Sequence, residues 1–345
     1  MPIAFSVAMI AREDIMSDEP LPLTSPANPT TAAAGPLIVT YQGMCDASAA
    51  VGLAGDHFVV GEDEHDILHV YRRGLPGRVA AIDLTDFLGN RLPSGKVKEA
   101  DIEGAARIGG RIYWIASHGR DKSGNIEETR HRFFATDIDE SGSVPTVAPA
   151  GTPYKTLLAD LLAEPGLESL GLAAAVQKAP EDPGGFNIES LAATANGQLL
   201  IGLRNPRPAG RALIVPLTNP AAMIETGATP IFGDAVLLDL GGRGIRSIDR
   251  VGERFIIIAG PFGPAESDPD AARFALYAWS GVAGEAATLL PVDLGPLRPE
   301  SLFEVAGTGE LHVLSDDGDD LVGTKKCKDV PAADKRFRAI TIMPP

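Results

Sequence analysis

Four charged residues hold the same place in four short phrases of this chain. They are Glu103 in Ile102-Glu103-Gly104-Ala105, Glu189 in Ile188-Glu189-Ser190-Leu191, Arg246 in Ile245-Arg246-Ser247-Ile248 and Glu300 in Pro299-Glu300-Ser301-Leu302. Asp46, in Cys45-Asp46-Ala47-Ser48, is a weaker fifth copy. Carboxylates gathered at one point repel, and their pKa values rise until something compensates. Arg246 is one such compensation. A hard cation is another, because Ca²⁺ accepts six to eight oxygen ligands at about 2.3 to 2.6 Å in irregular geometry. A third reading is structural, in which each Glu accepts hydrogen bonds from the backbone of the neighbouring repeat.

The elements that position these residues follow from their spacing, with steps of 57, 86, 57 and 54 residues from Asp46 to Glu300. After each phrase come a Gly-bearing turn and a strongly apolar strand: His57 to Gly61, Arg111 to Ala116, Gln198 to Leu203, Arg254 to Ala259 and Glu310 to Leu314. Val, Ile, Leu and aromatic residues dominate them, as in buried strands. Third and fourth strands follow, and four antiparallel strands in units of roughly 40 to 60 residues are a propeller pattern. The last unit has only three strands, and Pro36 to Tyr41 supplies the fourth. The fold class is therefore all-β: a five-bladed β-propeller whose last blade is closed by the N-terminal strand, leaving no long open edge. The long step holds a helical insertion, about residues 151–186, between blades 2 and 3. Its Leu157, Leu158, Leu161 and Leu162 recur at helical spacing before the Pro165-Gly166 stop. It is expected to cover part of the mouth of the ring.

First strands line the channel of a propeller, and second strands end on the face that carries its mouth. A second polar ring is expected there: Glu62, Asp63, His118, Arg204, Asn205, Asp316 and Asp317 around the inner Asp46, Glu103, Glu189, Arg246 and Glu300. His118 or Asp316 would act as general base and Arg204 would orient an anion. Arg204 has a competing role as a salt bridge to Glu189 or Glu300. The other histidines, including His65 and His69, read as structural.

Composition narrows the partners. With 30 Lys and Arg against 46 Asp and Glu, the net charge is −16, which works against nucleic acid and anionic lipid. No apolar run is long enough to span a bilayer. Residues 1–35 read as a flexible leader without a basic signal-peptide start, and residues 36–345 as one propeller domain. That leaves the compartment open, cytoplasmic by default and periplasmic if the two cysteines are paired. Cys45 and Cys327 both fall on one face at the point of ring closure. They are either a disulfide staple or two unrelated buried thiols. There is no G-x-S-x-G elbow, C-x-x-C, H-E-x-x-H or phosphate-binding Gly loop leading into a helix.

The run from Cys45-Asp46-Ala47-Ser48 to Glu62-Asp63-Glu64 and Leu68-His69-Val70-Tyr71-Arg72, with Asp101-Ile102-Glu103-Gly104 and Ser117-His118-Gly119, resembles the uncharacterised bacterial propellers of domain of unknown function 3616. That resemblance covers about residues 36–345 and implies a fold but no activity. The Glu-Gly and Glu-Ser phrases are more distantly similar to esterase-like phytases and calcium-dependent lactonases of the gluconolactonase type. This second resemblance implies a divalent metal, Ca²⁺ foremost, on Glu103, Glu189 and Glu300, with Arg246 departing from an all-acidic ring. Two functions are expected in parallel. One is metal-dependent hydrolysis of a small ester, lactone or phosphoester. The other is a non-catalytic propeller that binds a small molecule or a protein, its repeated Glu being structural.

Overall fold

The structure, a computed structural model, describes residues 37–345. The leader expected over residues 1–35 lies outside the described residues. Five four-stranded antiparallel sheets form the blades of a propeller. Blade 1 runs through Ala49–Gly52, His57–Gly61, Ile67–Arg72 and Ala80–Asp83, and blade 2 through Ile102–Ile108, Arg111–Ala116, Phe133–Asp139 and Thr146–Tyr154. Blade 3 has Asn187–Ala193, Leu199–Asn205, Ala212–Leu217 and Val236–Leu238, and blade 4 has Gly244–Val251, Arg254–Gly260, Ala275–Trp279 and Thr288–Leu290. Blade 5 consists of Pro299–Glu304, Leu311–Ser315 and Arg336–Ile342, and Ile38–Gln42 completes it by pairing Tyr41 with Phe337. The ring thus closes as the sequence implies.

Second strands are the buried middle of each blade. Leu199–Asn205 and Leu311–Ser315 are buried at every residue, which is why they read as unbroken apolar runs. Apolar residues of adjacent blades pack against each other to form the core. At the closure Tyr41 stacks on Phe337 at 5.1 Å between ring centroids and meets Phe58 edge-on at 5.2 Å. Phe337 is completely buried, so Phe337→Ala is expected to cost about 3–5 kcal/mol through lost transfer energy and a cavity.

The repeated phrases have a shared backbone cause. In blades 2 to 5 the pairing of first and second strands slips by one residue, between Ile102 and Gly104, Ile188 and Ser190, Ile245 and Ser247, and Pro299 and Ser301. The residue skipped each time is Glu103, Glu189, Arg246 or Glu300. Each is the extra residue of a β-bulge, a device that re-aims a side chain beside the ladder. The small residue after the charge has its own reason. A Cβ on Gly104 would stand 2.7 Å from the backbone of Ser190 and Leu191, so the inner strands of blades 2 and 3 touch there. Blade 1 has no such slip; its strands pair regularly from Ala49 with Gly61 onward. Asp46 instead precedes the blade and makes an isolated antiparallel bridge to Asp316.

The insertion holds the helix Leu157–Ala163, a 3-10 turn over Pro165–Leu170 and a four-residue helix Leu172–Ala175. The last helix starts afresh after Gly171, which takes a left-handed conformation. Leu157, Leu161, Leu167 and Leu172 all join the core between blades 2 and 3. No helix among the described residues is long and apolar enough to cross a membrane.

Candidate functional site at the channel mouth

A cavity of about 870 Å³ opens at one end of the channel. Asp46, Glu62, Asp63, Glu103, Glu189, Arg204, Arg246, Glu300 and Asp316 all line it, and Pro180 and Glu181 of the insertion form part of its wall. The two polar rings expected from the sequence therefore meet in one space. Three expected members do not line it. Asn205 donates to the Pro180 and Asp182 carbonyls at 3.2 and 2.8 Å and so ties the insertion to blade 3. Asp317 is held by Arg338 at 2.6 Å and by the Ser315 hydroxyl at 2.7 Å, on the outer side of blade 5. His118 is 1% exposed, its Nδ1 lies 2.8 Å from the Ala116 carbonyl, and its ring stacks on His131 at 5.7 Å. Its left-handed backbone, φ 54°, turns the chain back at the end of the second strand. Burial lowers its pKa to about 3, so it is a neutral interior residue and not a base at the mouth.

One wall of the cavity is internally neutralised. Glu189, on the bulge of blade 3, lies 2.8 Å from Arg204 Nε through one oxygen and 3.0 Å from Arg246 Nε through the other. Arg246 also contacts Glu300 through Nη2. All four side chains are at least nine-tenths buried or close to it. Burial pushes the Glu189 carboxyl upward and Arg204 and Arg246 pull it back, leaving it above its ordinary value. Burial lowers the Arg246 guanidinium from its ordinary value while Glu189 opposes that shift. Neither Nε–H is aligned for a hydrogen bond, so these contacts are ion pairs of the kind whose loss of one partner is expensive. Asn187 adds an amide donor to Glu189 at 2.7 Å.

Four other acids of the cavity are unpaired. Among the described residues Asp46, Asp63, Glu103 and Asp316 make no ion pair. Asp46 is 5% exposed and its Oδ2 has no hydrogen-bond partner; Asp63 Oδ1 is likewise buried and unpartnered. Burial, reinforced by Asp63 and Asp316, raises the Asp46 pKa to about 10. Burial and the charges of Asp101 and Asp316 hold Asp63 well above the carboxylate range. Glu103 is raised well above it too, by burial first and then by Glu189 and Asp101, although its side chain keeps some contact with channel solvent. Gly318 leaves room for Asp46, since a Cβ there would lie 1.8 Å from Asp46 Oδ1.

A metal cage on Glu103, Glu189 and Glu300 does not fit this geometry. Both Glu189 oxygens face arginine and Glu300 is paired with Arg246, which leaves Glu103 alone. Among the described residues no three Asp, Glu, His or Cys side chains are arranged to hold a metal ion.

Two cavity residues come from outside the expected set. His65 and His69 both line the mouth and both lie 3.3 Å from Glu62 Oε1. Burial alone would raise Glu62, but hydrogen bonds from His65 and His69 bring it down to about 2. The side chain of His65 is half exposed, and the Glu62 hydrogen bond raises its pKa. The signal was present in the sequence as an E-x-x-H spacing after the second strand of blade 1, which brings both groups to one turn.

Cys45 and Cys327 form a disulfide with Cα atoms 6.0 Å apart. It ties the residue before Asp46 to the last-blade loop, whose Lys328, Val330, Ala332 and Lys335 line the cavity.

Fold and site together define a five-bladed β-propeller with a charged, partly unpaired channel mouth. The family model of the protein of unknown function DUF3616 matches residues 154–292, that is, the insertion and all of blades 3 and 4. No curated protein matches the chain. Among solved structures, glutaminyl cyclase of Myxococcus xanthus is similar at 12% identity, covering 88% of this chain and 94% of that one with a TM-score of 0.45. A putative oxidoreductase (glucose dehydrogenase) of Thermus thermophilus is similar at 12% identity, 89% and 100% coverage and a TM-score of 0.43. A GH43 endo-arabinanase of Bacillus licheniformis is similar at 10% identity, 88% and 94% coverage and a TM-score of 0.42. No activity passes to this chain from likenesses at this level.

Proposed function

We propose that the propeller binds a small, positively charged polar molecule at its channel mouth. The observation that carries this reading is Asp46: a carboxyl buried in the wall of a ligand-sized cavity, with an unpartnered oxygen and other unpaired acids beside it. The inner-strand Glu189 and Glu300 act structurally, bound to Arg204 and Arg246. A thermal-shift series on the full chain tests it, comparing small ammonium compounds with carboxylates of matched size. Stabilisation by the ammonium compounds that disappears in Asp46→Asn is expected; stabilisation by carboxylates alone contradicts it.

A hydrolytic reading has its own support, the juxtaposition of Asp46 with Asp316. Two neighbouring carboxyls sharing one proton provide an acid and a base at the same pH. In the hydrolysis of a small ester, lactone or phosphoester, Asp316 would take a proton from water as its oxygen bonds to the acyl carbon or phosphorus. Asp46 would give its proton to the departing oxygen as the ester bond breaks, and the proton on Asp316 would return through solvent. Arg204 would orient an anionic group. Turnover of a chromogenic ester or phosphoester, lost in Asp316→Asn with the fold retained, is expected; unchanged turnover removes Asp316 from the reaction.

The Cys45–Cys327 bond favours an oxidising compartment such as the periplasm. Trapping of thiols in intact cells tests this, and two alkylated cysteines would contradict it.

A further inference from the structure

The way the unpaired acids are distributed narrows the class of ligand. Asp46 precedes blade 1 at the seam with blade 5, Asp63 follows the second strand of blade 1, and Glu103 sits on the inner-strand bulge of blade 2. All three line one cavity, yet among the described residues no three acids are arranged to hold a metal ion. A metal ion needs oxygens that converge. Separated acids are instead matched by separated positive charges, joined by a linker that tolerates apolar contact. Ile67, Val330, Ala332 and Pro180 supply apolar surface in the same cavity. The excess charge agrees in sign: among the described residues twelve Asp and Glu line the cavity against seven Lys and Arg, five more acids than bases. Five of those seven bases, Arg130, Arg204, Arg246, Lys328 and Lys335, are committed to carboxylates other than Asp46, Asp63 and Glu103.

We infer that the mouth of the propeller binds an aliphatic diamine or polyamine, with one ammonium group on Asp46 and Asp63 and another toward Glu103. This rests on the reading of the mouth as a site for positive charge, and it adds that the charge is organic and multiple. Each ammonium would take the place of a proton that the acids hold in the free protein. The methylene spacer would cross the cavity between the two groups.

Titration calorimetry on the full chain tests the inference with four probes: butane-1,4-diamine, spermidine, n-butylamine and Ca²⁺. Binding of the diamine or spermidine at least tenfold tighter than n-butylamine is expected, with a loss of tenfold or more in Asp46→Asn and in Glu103→Gln. Should Asp46→Asn fail to fold, Asp63→Asn replaces it. Equal affinity for n-butylamine and the diamine overturns the multiple-charge inference while leaving a site for positive charge. Binding of Ca²⁺ that excludes the diamine overturns the organic ligand. An absence of binding by all four overturns both the inference and the reading beneath it.

Discussion

The two walls of the mouth are built from similar residues and end in opposite electrostatic states. On the side of blades 3 to 5, Glu189 and Glu300 meet Arg204 and Arg246 within the protein. On the side of blades 1 and 2 and the closing seam, Asp46, Asp63 and Glu103 are crowded by other acids and make no ion pair among the described residues, and Arg130, Arg204 and Arg246 act on Glu103 only at longer range. Burial charges a similar desolvation cost to both. The first wall offsets it with an internal counter-ion and so becomes a structural clasp between blades. The second offsets it with protons, which a ligand can displace.

Removing the counter-ion should have the largest effect. Arg246→Met strands Glu300 in the interior and leaves Glu189 with Arg204 as its one cation, and a loss of about 3–5 kcal/mol is expected in a urea titration. A loss below 1 kcal/mol would mean that the clasp is not structural. Next comes the disulfide beside the acidic wall. Replacing Cys45 and Cys327 by Ser together is expected to cost about 2–4 kcal/mol and to weaken ligand binding, because the loop carrying Lys328 and Lys335 loses its anchor. Intact binding after that loss of stability would separate the loop from the site.

His118 is a control outside both walls. Its native pKa is about 3 against an ordinary 6.5, so the unfolded chain binds the extra proton between those values. Stability falls as pH drops through that window, by about 2 kcal/mol at pH 5 from this group. His118→Gln should flatten the fall, as measured by urea midpoints at pH 7 and pH 5. Asp46→Asn tests the acidic wall itself. The native carboxyl holds its proton from the ordinary 3.8 up to about 10, so its contribution to stability is lost as pH rises through that window. Asn at this position should raise stability at pH 8 and remove that slope. A destabilised variant would show that Asp46 is paired after all.

The blades were legible because buried second strands such as Arg254–Gly260 carry an apolar signature that needs no partner to be read. Closure by the N-terminal strand was legible for a different reason: blade 5 lacks a strand, and an unpaired edge is a cost. The location of the mouth and its acids also followed from that order of strands, as did the idea that Arg246 compensates Glu. The bulges were not legible, since a one-residue slip is a property of two strands and no residue of either announces it. His118 was misplaced because its position depends on the left-handed turn that folds its ring under Ala116. His65 reaches Glu62 through the turn after the second strand and His69 through the pairing of the third strand with the second, contacts that neither residue announces by itself.

The difference between the walls rests on the protonation of one carboxyl. The direct measurement is an NMR titration of the full chain labelled at the aspartate carboxyl carbon, with Asp46 assigned by its absence in Asp46→Asn. A midpoint near 10 is expected for Asp46, moving downward when a cationic ligand binds. A midpoint near the ordinary 3.8, unmoved by any cation, would contradict the account.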